Sequence, residues 1–253
     1  MFNFKDRVVA ITGASSGLGV QMAHGFAEQG ADLVLLARRR EKLQSVAKEI
    51  EEKYQIKVLP FECDVTKLDS IKDAVQASLK IFGKIDVLIN NAGVGSVKPA
   101  EEMDDETWEY NLAIDLTGVF RTAREFGKVM LEAGYGRIIN VSSMYGMVGN
   151  SESPAAAYHA AKGGVVNLTR ALAAEWSRRG ITVNCLCPGY FETELTKDTL
   201  NTESFKAYME RTVPLGRYGK WGELNAAACF LASDEASYVT GVILPVDGGY
   251  TCV

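Results

Sequence analysis

The sequence has little of what metal centres, disulfide scaffolds and membrane spans require. Its 253 residues include two histidines and five scattered cysteines, and neither set follows the spacing of a zinc site. No apolar run approaches the roughly 18 residues of a membrane-spanning helix, and the N-terminus lacks the pattern of a signal peptide. We therefore expect reduced thiols, no metal, no membrane partner and a cytoplasmic location.

An excess of positive charge is also missing. The net charge is −5 at pH 7, whereas binding of nucleic acid usually needs a basic patch. Hydrophobic residues make up 47% of the chain and charged residues 23%, which is the composition of an ordinary globular protein. These proportions argue against nucleic acid as the main partner and leave a small molecule as the expected ligand.

Apolar, β-branched runs alternate with helical patterns along the whole chain. The predicted strands cover residues 7–12, 32–37, 57–61, 85–89, 137–141, 181–187 and 242–246. Strands that are regularly followed by helices predict a doubly wound parallel α/β sheet of the Rossmann type. Since no linker, repeat or low-complexity stretch interrupts the pattern, we predict a single domain over residues 1–253. Cys185 and Cys187 lie on one predicted strand, and we expect them to point to opposite faces.

A glycine-rich turn joins the first predicted strand to the first helix. Its backbone N–H groups and the helix N-terminus can approach a phosphate, although glycine turns also serve tight strand-to-helix packing. Its position at the first βα turn is the one that a dinucleotide-binding fold requires. The candidate cofactor residues in this turn are Gly13, Ser15, Ser16, Gly17, Leu18 and Gly19.

The residues that end the second strand favour NADP over NAD. A carboxylate at this position binds the ribose 2′-hydroxyl of NAD, but here the position holds Ala37, followed by Arg38 and Arg39. Guanidinium groups suit a 2′-phosphate. The alternative is that the arginines only cover a helix start, which is disfavoured because cations are slightly unfavourable at a helix N-terminus.

Further cofactor candidates follow the third and fourth strands. Asp64 and Val65 come after the third strand, where Asp64 can contact adenine or cap the next helix. Asn91, Ala92 and Gly93 come after the fourth. Open α/β sheets bind ligands outside the carboxyl ends of their strands, so these residues are placed to line a cofactor cleft.

Tyr158 and Lys162 form a candidate acid/base pair. They are four apart in an alanine-rich predicted helix, so both side chains leave one face. Free tyrosine ionises near pH 10, so its phenolate needs roughly 4 kcal/mol of stabilisation at neutral pH, and a nearby ammonium supplies part of it. Ser143 follows the fifth strand and can bind a carbonyl or alcohol oxygen. Such a pair alone is usually a solvated helix face, so the interpretation depends on the other motifs.

Substrate contacts are expected from the loops near this pair. We predict that residues of about 190–217 form a cover, because such segments often carry substrate selection. Tyr145, Asn150 and Tyr190 are the candidate substrate contacts, together with Ser143. The alternative is that the aromatic residues simply pack their loop.

With these residues placed, the chain resembles the short-chain dehydrogenase/reductase family over essentially its whole length. The matching motifs are Thr12-Gly13-x-x-x-Gly17-x-Gly19, Asn90-Asn91-Ala92-Gly93, Ser143, Tyr158-x-x-x-Lys162, and Pro188-Gly189 with Thr193. The resemblance implies an oxidoreductase that interconverts a ketone and a secondary alcohol by hydride transfer to or from NADP(H), with NAD(H) as the less favoured cofactor.

The resemblance also implies a role for each motif. Tyr158 would be the general acid in reduction and the general base in oxidation. Ser143 would hold the substrate oxygen, and Lys162 would favour ionisation of the tyrosine and bind the nicotinamide ribose. The nicotinamide half of the cofactor would be held by Asn91, Gly93, Pro188, Gly189 and Thr193.

One position departs from the family pattern. The family usually has an asparagine seven residues after a helix tryptophan, here Trp108, whereas this chain has Asp115. In the family this residue mainly offers its backbone carbonyl to a water that leads to the lysine, and that role survives the change. A buried carboxylate is costly unless it is paired, and Lys162 is the expected partner. Asp115 is therefore a further catalytic candidate.

The resemblance leaves the substrate open. The chain is similar to gluconate 5-dehydrogenase-like members, but these tend to carry arginines after the Asn-Asn-Ala-Gly block, where only Lys98 could serve here. A sugar acid, a polyol, a 3-oxoacyl thioester and a bulky hydrophobic ketone stay open, as does a nucleotide-binding regulator without turnover. The family usually forms dimers or tetramers, and we expect a homotetramer. We expect His159 to be exposed or at a subunit contact.

Overall fold

The computed structural model describes residues 2–193 and 196–253. Glu194 and Leu195, which belong to the predicted cover of residues 190–217, lie outside the described residues. No helix in the described part of the chain is both long and apolar enough to cross a membrane.

Seven parallel strands form one sheet in the order β3-β2-β1-β4-β5-β6-β7. They are β1 Val8–Thr12, β2 Asp32–Ala37, β3 Val58–Glu62, β4 Val87–Asn90, β5 Gly136–Val141, β6 Ile181–Pro188 and β7 Ile243–Val246. The order reverses beside β1, which is the point where doubly wound sheets open a crevice for a ligand. The prediction of a doubly wound parallel sheet is confirmed, with strand bounds that differ by at most two residues.

Helices cover both faces of this sheet. They are α1 Gly17–Glu28, α2 Arg40–Tyr54, α3 Leu68–Phe82, α4 Asp105–Leu112, α5 Val119–Ala133, α6 Ala156–Trp176, α7 Lys197–Leu200, α8 Glu203–Thr212 and α9 Asn225–Ala232. Alternate residues of β1 point to opposite faces: Ile11 packs with Phe26 of α1 on one side, and Ala10 packs with Phe126 of α5 on the other. This two-sided burial explains why the central strands read as continuous apolar runs.

The expectation for the two cysteines of β6 was wrong. Cys185 and Cys187 both pack in one cluster with Val119 and Val165, and their sulfur atoms lie 3.8 Å apart. Side chains two residues apart on a strand share a face, because the side-chain period of a strand is two.

The chain is continuously helical from Asp105 to Ala133 but changes its winding. Between α4 and α5, the segment Ala113–Gly118 is a π-helix, a local widening that is frequent at functional sites. This segment carries Asp115, which is 0% exposed to solvent.

Asparagine side chains join the strands at the carboxyl end of the sheet. Asn90 Nδ2 donates to Asn140 Oδ1 at 2.9 Å and thereby links β4 to β5. Asn91 Nδ2 donates to the Thr12 carbonyl at 3.0 Å and links β4 to β1. Thr12 Oγ1 in turn accepts from the backbone N–H groups of Asn91 and Ala92. The cross-links fix the strand ends where the candidate site residues lie.

Candidate active site

The glycine turn after β1 brings two backbone segments into contact. A Cβ on Gly13, whose φ is +69°, would lie 2.8 Å from Ala92 Cα, and one on Gly19 would lie 2.4 Å from the Gly13 carbonyl oxygen. Both distances are too short for a side chain, so the turn requires glycine. Ser16, the N-cap of α1, makes no side-chain cap bond. The first N–H groups of α1 therefore meet the requirements of an anion site.

Arg39, which follows β2, lies beside this turn. Arg39 Nε donates to Ser15 Oγ at 3.2 Å, and its Nη2 donates to Ser16 Oγ at 2.5 Å. Arg38 is exposed. A guanidinium is thus held against two of the hydroxyls that flank the anion site, as binding of a second phosphate near the turn would require.

Asp64 organises its own turn and does not cap the next helix. Its Oδ1 accepts from the Thr66 backbone N–H at 3.0 Å and from Thr66 Oγ1 at 2.7 Å, while the N-cap of α3 is Lys67. Burial acts to raise the pKa of Asp64. The hydrogen bonds from Thr66 and the charge of the nearby Arg38 outweigh burial and hold this pKa below its usual value. Val65 is buried against Gly118.

Tyr158 and Lys162 lie together on α6. The Lys162 Nζ atom is 5.5 Å from the centroid of the Tyr158 ring, and it donates to the Val141 carbonyl of β5 at 3.2 Å. Lys162 is 3% exposed, whereas Tyr158 is half-buried. The geometry holds a buried cation beneath a phenol that remains accessible to a ligand.

Asp115 is the counter-ion of this lysine. Its Oδ1 lies 3.3 Å from Lys162 Nζ and accepts from the Val94 backbone N–H at 3.1 Å, while its buried Oδ2 has no hydrogen-bond partner among the described residues. Burial raises the pKa of Asp115. Burial also acts to lower the pKa of Lys162, but the charges of Asp115 and Tyr158 outweigh it and raise that pKa. A Cβ on Gly93 would lie 2.8 Å from Asp115 Oδ1 and 3.3 Å from Lys162 Nζ, so both charges approach this glycine closely.

The two serines after β5 are placed differently. Ser142 Oγ donates to the Lys162 carbonyl at 2.8 Å and so joins β5 to α6. Ser143 Oγ accepts from the Tyr145 backbone N–H at 3.1 Å. The Ser142 hydroxyl proton is therefore used in a bond to the backbone. The Ser143 hydroxyl proton is available to a ligand oxygen, because Ser143 Oγ only accepts in its bond with Tyr145.

A group of aromatic side chains lies near this site, and we call Tyr145, Tyr190, Tyr208 and Tyr250 the phenol cluster. The Tyr145 and Tyr190 hydroxyls are 2.5 Å apart, and those of Tyr208 and Tyr250 are 3.2 Å apart. Asn150 Nδ2 donates to the Tyr145 hydroxyl. Burial raises the pKa of Tyr145, Tyr190 and Tyr250, so these phenols stay protonated at neutral pH and can donate.

Helix α8, which lies in the segment predicted to form a cover, contributes to the cluster. The Tyr190 ring meets Phe205 and Tyr208 edge-on, at centroid distances of 5.0 and 6.2 Å. Tyr208 and Tyr250 were not identified from the sequence, because they come from α8 and the C-terminal segment and no local pattern links them. His159 was expected to be exposed or at a subunit contact. It is half-buried, and its ring stacks on Tyr145 at 4.8 Å.

Residues after β6 approach the glycine turn. A Cβ on Gly189 would lie 2.6 Å from Asp247 Cα, so Gly189 is needed for close packing. The Thr193 side chain lies over Gly17, where an added Cβ would be 3.3 Å from Thr193 Cγ2, and the Thr193 N–H donates to Thr196 Oγ1 at 2.9 Å. Pro188 ends β6. Thr193 therefore lies against the glycine turn at Gly17.

Known proteins share this architecture over the whole chain. A short-chain dehydrogenase/reductase from Mycobacterium marinum superposes with a TM-score of 0.94 and 37% identity, covering 100% of this chain and 98% of its own. A family model described as enoyl-(acyl carrier protein) reductase matches residues 13–251. The chain is a short-chain dehydrogenase/reductase. The family prediction is confirmed.

Two further relatives of this short-chain dehydrogenase/reductase are informative. Galactitol 2-dehydrogenase (L-tagatose-forming) from Cereibacter sphaeroides is 41% identical over 252 residues, which are 99% of this chain and 97% of the relative. A gluconate 5-dehydrogenase from Burkholderia cenocepacia, solved with NADP and tartrate, is 34% identical with a TM-score of 0.95, covering 100% and 98% of the two chains. The protein is thus an oxidoreductase of CH–OH donors that uses a nicotinamide cofactor.

Proposed function

We propose that this short-chain dehydrogenase/reductase interconverts a secondary alcohol and a ketone of a neutral polyhydroxylated substrate, with NADP(H) as its cofactor. The observation that carries the proposal is the phenol cluster. Its hydroxyls and the Asn150 amide are uncharged hydrogen-bonding groups, and its rings offer faces to C–H groups. Such a surface complements a polyol, whose hydroxyls need donors and acceptors and whose carbon chain needs apolar contact.

The chemical step rests on three side chains. In oxidation, Tyr158 takes the proton of the substrate hydroxyl, and in reduction it returns a proton to the carbonyl oxygen. Ser143 donates to that oxygen, and Lys162 favours the phenolate through its charge, 5.5 Å below the ring. A bound nicotinamide would supply or accept the hydride. Asp115 acts on this site through Lys162.

The residues present fit a dinucleotide. The glycine turn would hold the pyrophosphate through Gly13, Ser15, Ser16, Gly17, Leu18 and Gly19. Asp64 and Val65 would border the adenine, and Arg38 and Arg39 a 2′-phosphate. The nicotinamide half would be held by Asn91, Ala92, Gly93, Tyr158, Lys162, Pro188, Gly189 and Thr193.

The charges near the site favour a neutral substrate over a sugar acid. Lys98, the cation that follows the Asn-Asn-Ala-Gly block, pairs with Asp104 at 2.5 Å. Arg211 lies 5.9 Å over the Tyr208 ring but is exposed to solvent, and Arg217, which shares a cavity with Tyr190, pairs with Glu223. The galactitol dehydrogenase relative is named for a neutral polyol, which supports the same choice.

A substrate panel tests the function. We expect hexitols and pentitols to give higher kcat/KM values with NADP⁺ than gluconate does, and the matching ketoses to exceed a 3-oxoacyl thioester or a bulky hydrophobic ketone in reduction with NADPH. A tenfold preference for gluconate or for the thioester would overturn the polyol assignment. Tight NADPH binding without turnover of any member would favour a regulator.

Tyr190→Phe should weaken recognition of polyols. The change removes one hydroxyl from the cluster, so kcat/KM for a polyol should fall about tenfold, as expected for the loss of a hydrogen bond worth about 1–1.5 kcal/mol. A simple secondary alcohol should be affected less than about twofold. Tyr238→Phe is the matched control, because Tyr238 is fully exposed. Equal losses on both substrates would contradict a role in polyol recognition.

Arg39→Gln should lower the preference for NADP. Removing the guanidinium held by Ser15 and Ser16 should weaken NADPH binding about tenfold or more, because charge-assisted bonds contribute about 1.5–3 kcal/mol, and should leave NADH binding nearly unchanged. Fluorescence titration with both cofactors measures this. Arg40→Gln, at the first residue of α2, is the control. Equal weakening of NADPH and NADH would argue against a 2′-phosphate contact.

A further inference from the structure

The buried pair of Asp115 and Lys162 places opposite charges next to the reacting tyrosine. Asp115 is 0% exposed and Lys162 3% exposed, so water screens neither charge strongly. Only Oδ1 of the carboxylate is bonded, to the Val94 N–H and to the ammonium, whereas Oδ2 finds no partner in the described part of the chain. A carboxylate left half-bonded in a dry site is costly, and the Lys162 ammonium at 3.3 Å is the charge that offsets this cost.

The positive charge of Lys162 acts on both Tyr158 and Asp115. A nearby cation favours the ionised form of a phenol, and Nζ lies 5.5 Å from the Tyr158 ring centroid. An anion 3.3 Å from the same Nζ cancels part of that field. An amide of the same shape would leave the full charge of the ammonium acting on the phenol.

We propose that Asp115 is a positioning residue that partly neutralises Lys162 and thereby moves the pH range in which Tyr158 can act as a base to higher pH. The inference rests on the proposed role of Tyr158. It assigns the aspartate a defined effect, which is to make the enzyme a better proton donor, and hence a better reductase, at neutral pH than it would be with an amide at this position.

Other titratable groups lie near Lys162 and Tyr158, and they are identical in all the variants compared. β6 contributes the Cys185 thiol, the turn after β5 contributes Tyr145, and α6 itself contributes His159, which stacks on Tyr145. The buried side chain of α4 is Asn111, which carries no charge. Because these groups are unchanged when Asp115 is replaced, a difference between variants reports the carboxylate.

Asp115→Asn in the cofactor-free protein tests the inference directly. The near-ultraviolet phenolate absorbance is titrated with pH, and the signal of Tyr158 is isolated by subtracting the same titration of a Tyr158→Phe partner. We expect the Tyr158 phenolate to form about one pH unit lower in Asp115→Asn than in the wild type, in line with the shifts that nearby charges cause. Asp105→Asn is the matched control, since Asp105 is exposed at the start of α4, and it should leave the titration unchanged.

The pH profile of oxidation supplies the second measurement. The acidic limb of kcat/KM should move about one pH unit lower in Asp115→Asn, so oxidation at neutral pH should be equal or faster. Asp115→Ala removes the same charge without adding an amide, so it should shift both measurements in the same direction and keeps the test open if Asp115→Asn fails to fold. An unchanged or upward shift in both variants would overturn the proposal. An absorbance shift with no turnover of any substrate would contradict the proposed function alone.

Discussion

Replacing Tyr158 with phenylalanine should lower kcat/KM about 10²- to 10⁴-fold, because general acid–base catalysis contributes that much when the proton carrier is positioned at the reacting oxygen. Phenylalanine keeps the ring above Lys162 and removes only the hydroxyl, so NADPH affinity should fall by no more than about tenfold, the loss expected for a single hydrogen bond. Steady-state kinetics on the best polyol and fluorescence titration with NADPH measure the two quantities.

Tyr110→Phe provides the control for this change. Tyr110 lies on α4 and is 45% exposed, and its variant should retain wild-type turnover. Wild-type turnover by Tyr158→Phe would remove the tyrosine from the reaction and would leave the half-buried phenol above Lys162 without a chemical role.

Lys162→Met should destabilise the protein strongly, apart from any effect on turnover. The change leaves Asp115 as a buried carboxylate without its cation, and breaking a buried pair in this way costs about 3–5 kcal/mol. The double variant Lys162→Met with Asp115→Asn removes both charges, so it should recover most of the lost stability. Denaturant unfolding of the two variants and the wild type measures the difference.

A surface pair provides the comparison for this experiment. Lys48 lies 3.8 Å from Glu52 on α2, and both side chains are more than two-thirds exposed. Lys48→Met should change stability by less than about 0.5 kcal/mol, because exposed pairs are screened by water. If the double variant is no more stable than Lys162→Met alone, then Lys162 stabilises the fold through its contact with Val141 and not by neutralising Asp115.

The parts of the fold that could be predicted depend on local patterns. β1 and β2 read as apolar runs because both faces of their sheet are covered, and the glycine turn follows β1 directly. Tyr158 and Lys162 share a helix face at a spacing of four, so their proximity could be expected before the structure was known. In each case the interacting residues are close in sequence, or the repeat of the element determines their direction.

The predictions that were missing or wrong involve tertiary contacts, or an error in applying the two-residue side-chain period of a strand. Tyr208 and Tyr250 meet across 42 positions of sequence, and nothing near either residue predicts the other. Lys98 was the candidate cation for a sugar acid, but its pairing with Asp104 follows from the turn that precedes α4. The directions of the Cys185 and Cys187 side chains could have been predicted from the sequence, because the two-residue period of a strand places both on one face.

The phenol cluster draws its members from the turn after β5, the exit of β6, helix α8 and the segment after β7. None of these segments belongs to the sheet interior, and exchanging a side chain there leaves the strand pairing and the two apolar layers intact. New specificities can therefore be selected by substitutions at these rim positions with little loss of stability, while the chemistry on α6 is inherited unchanged.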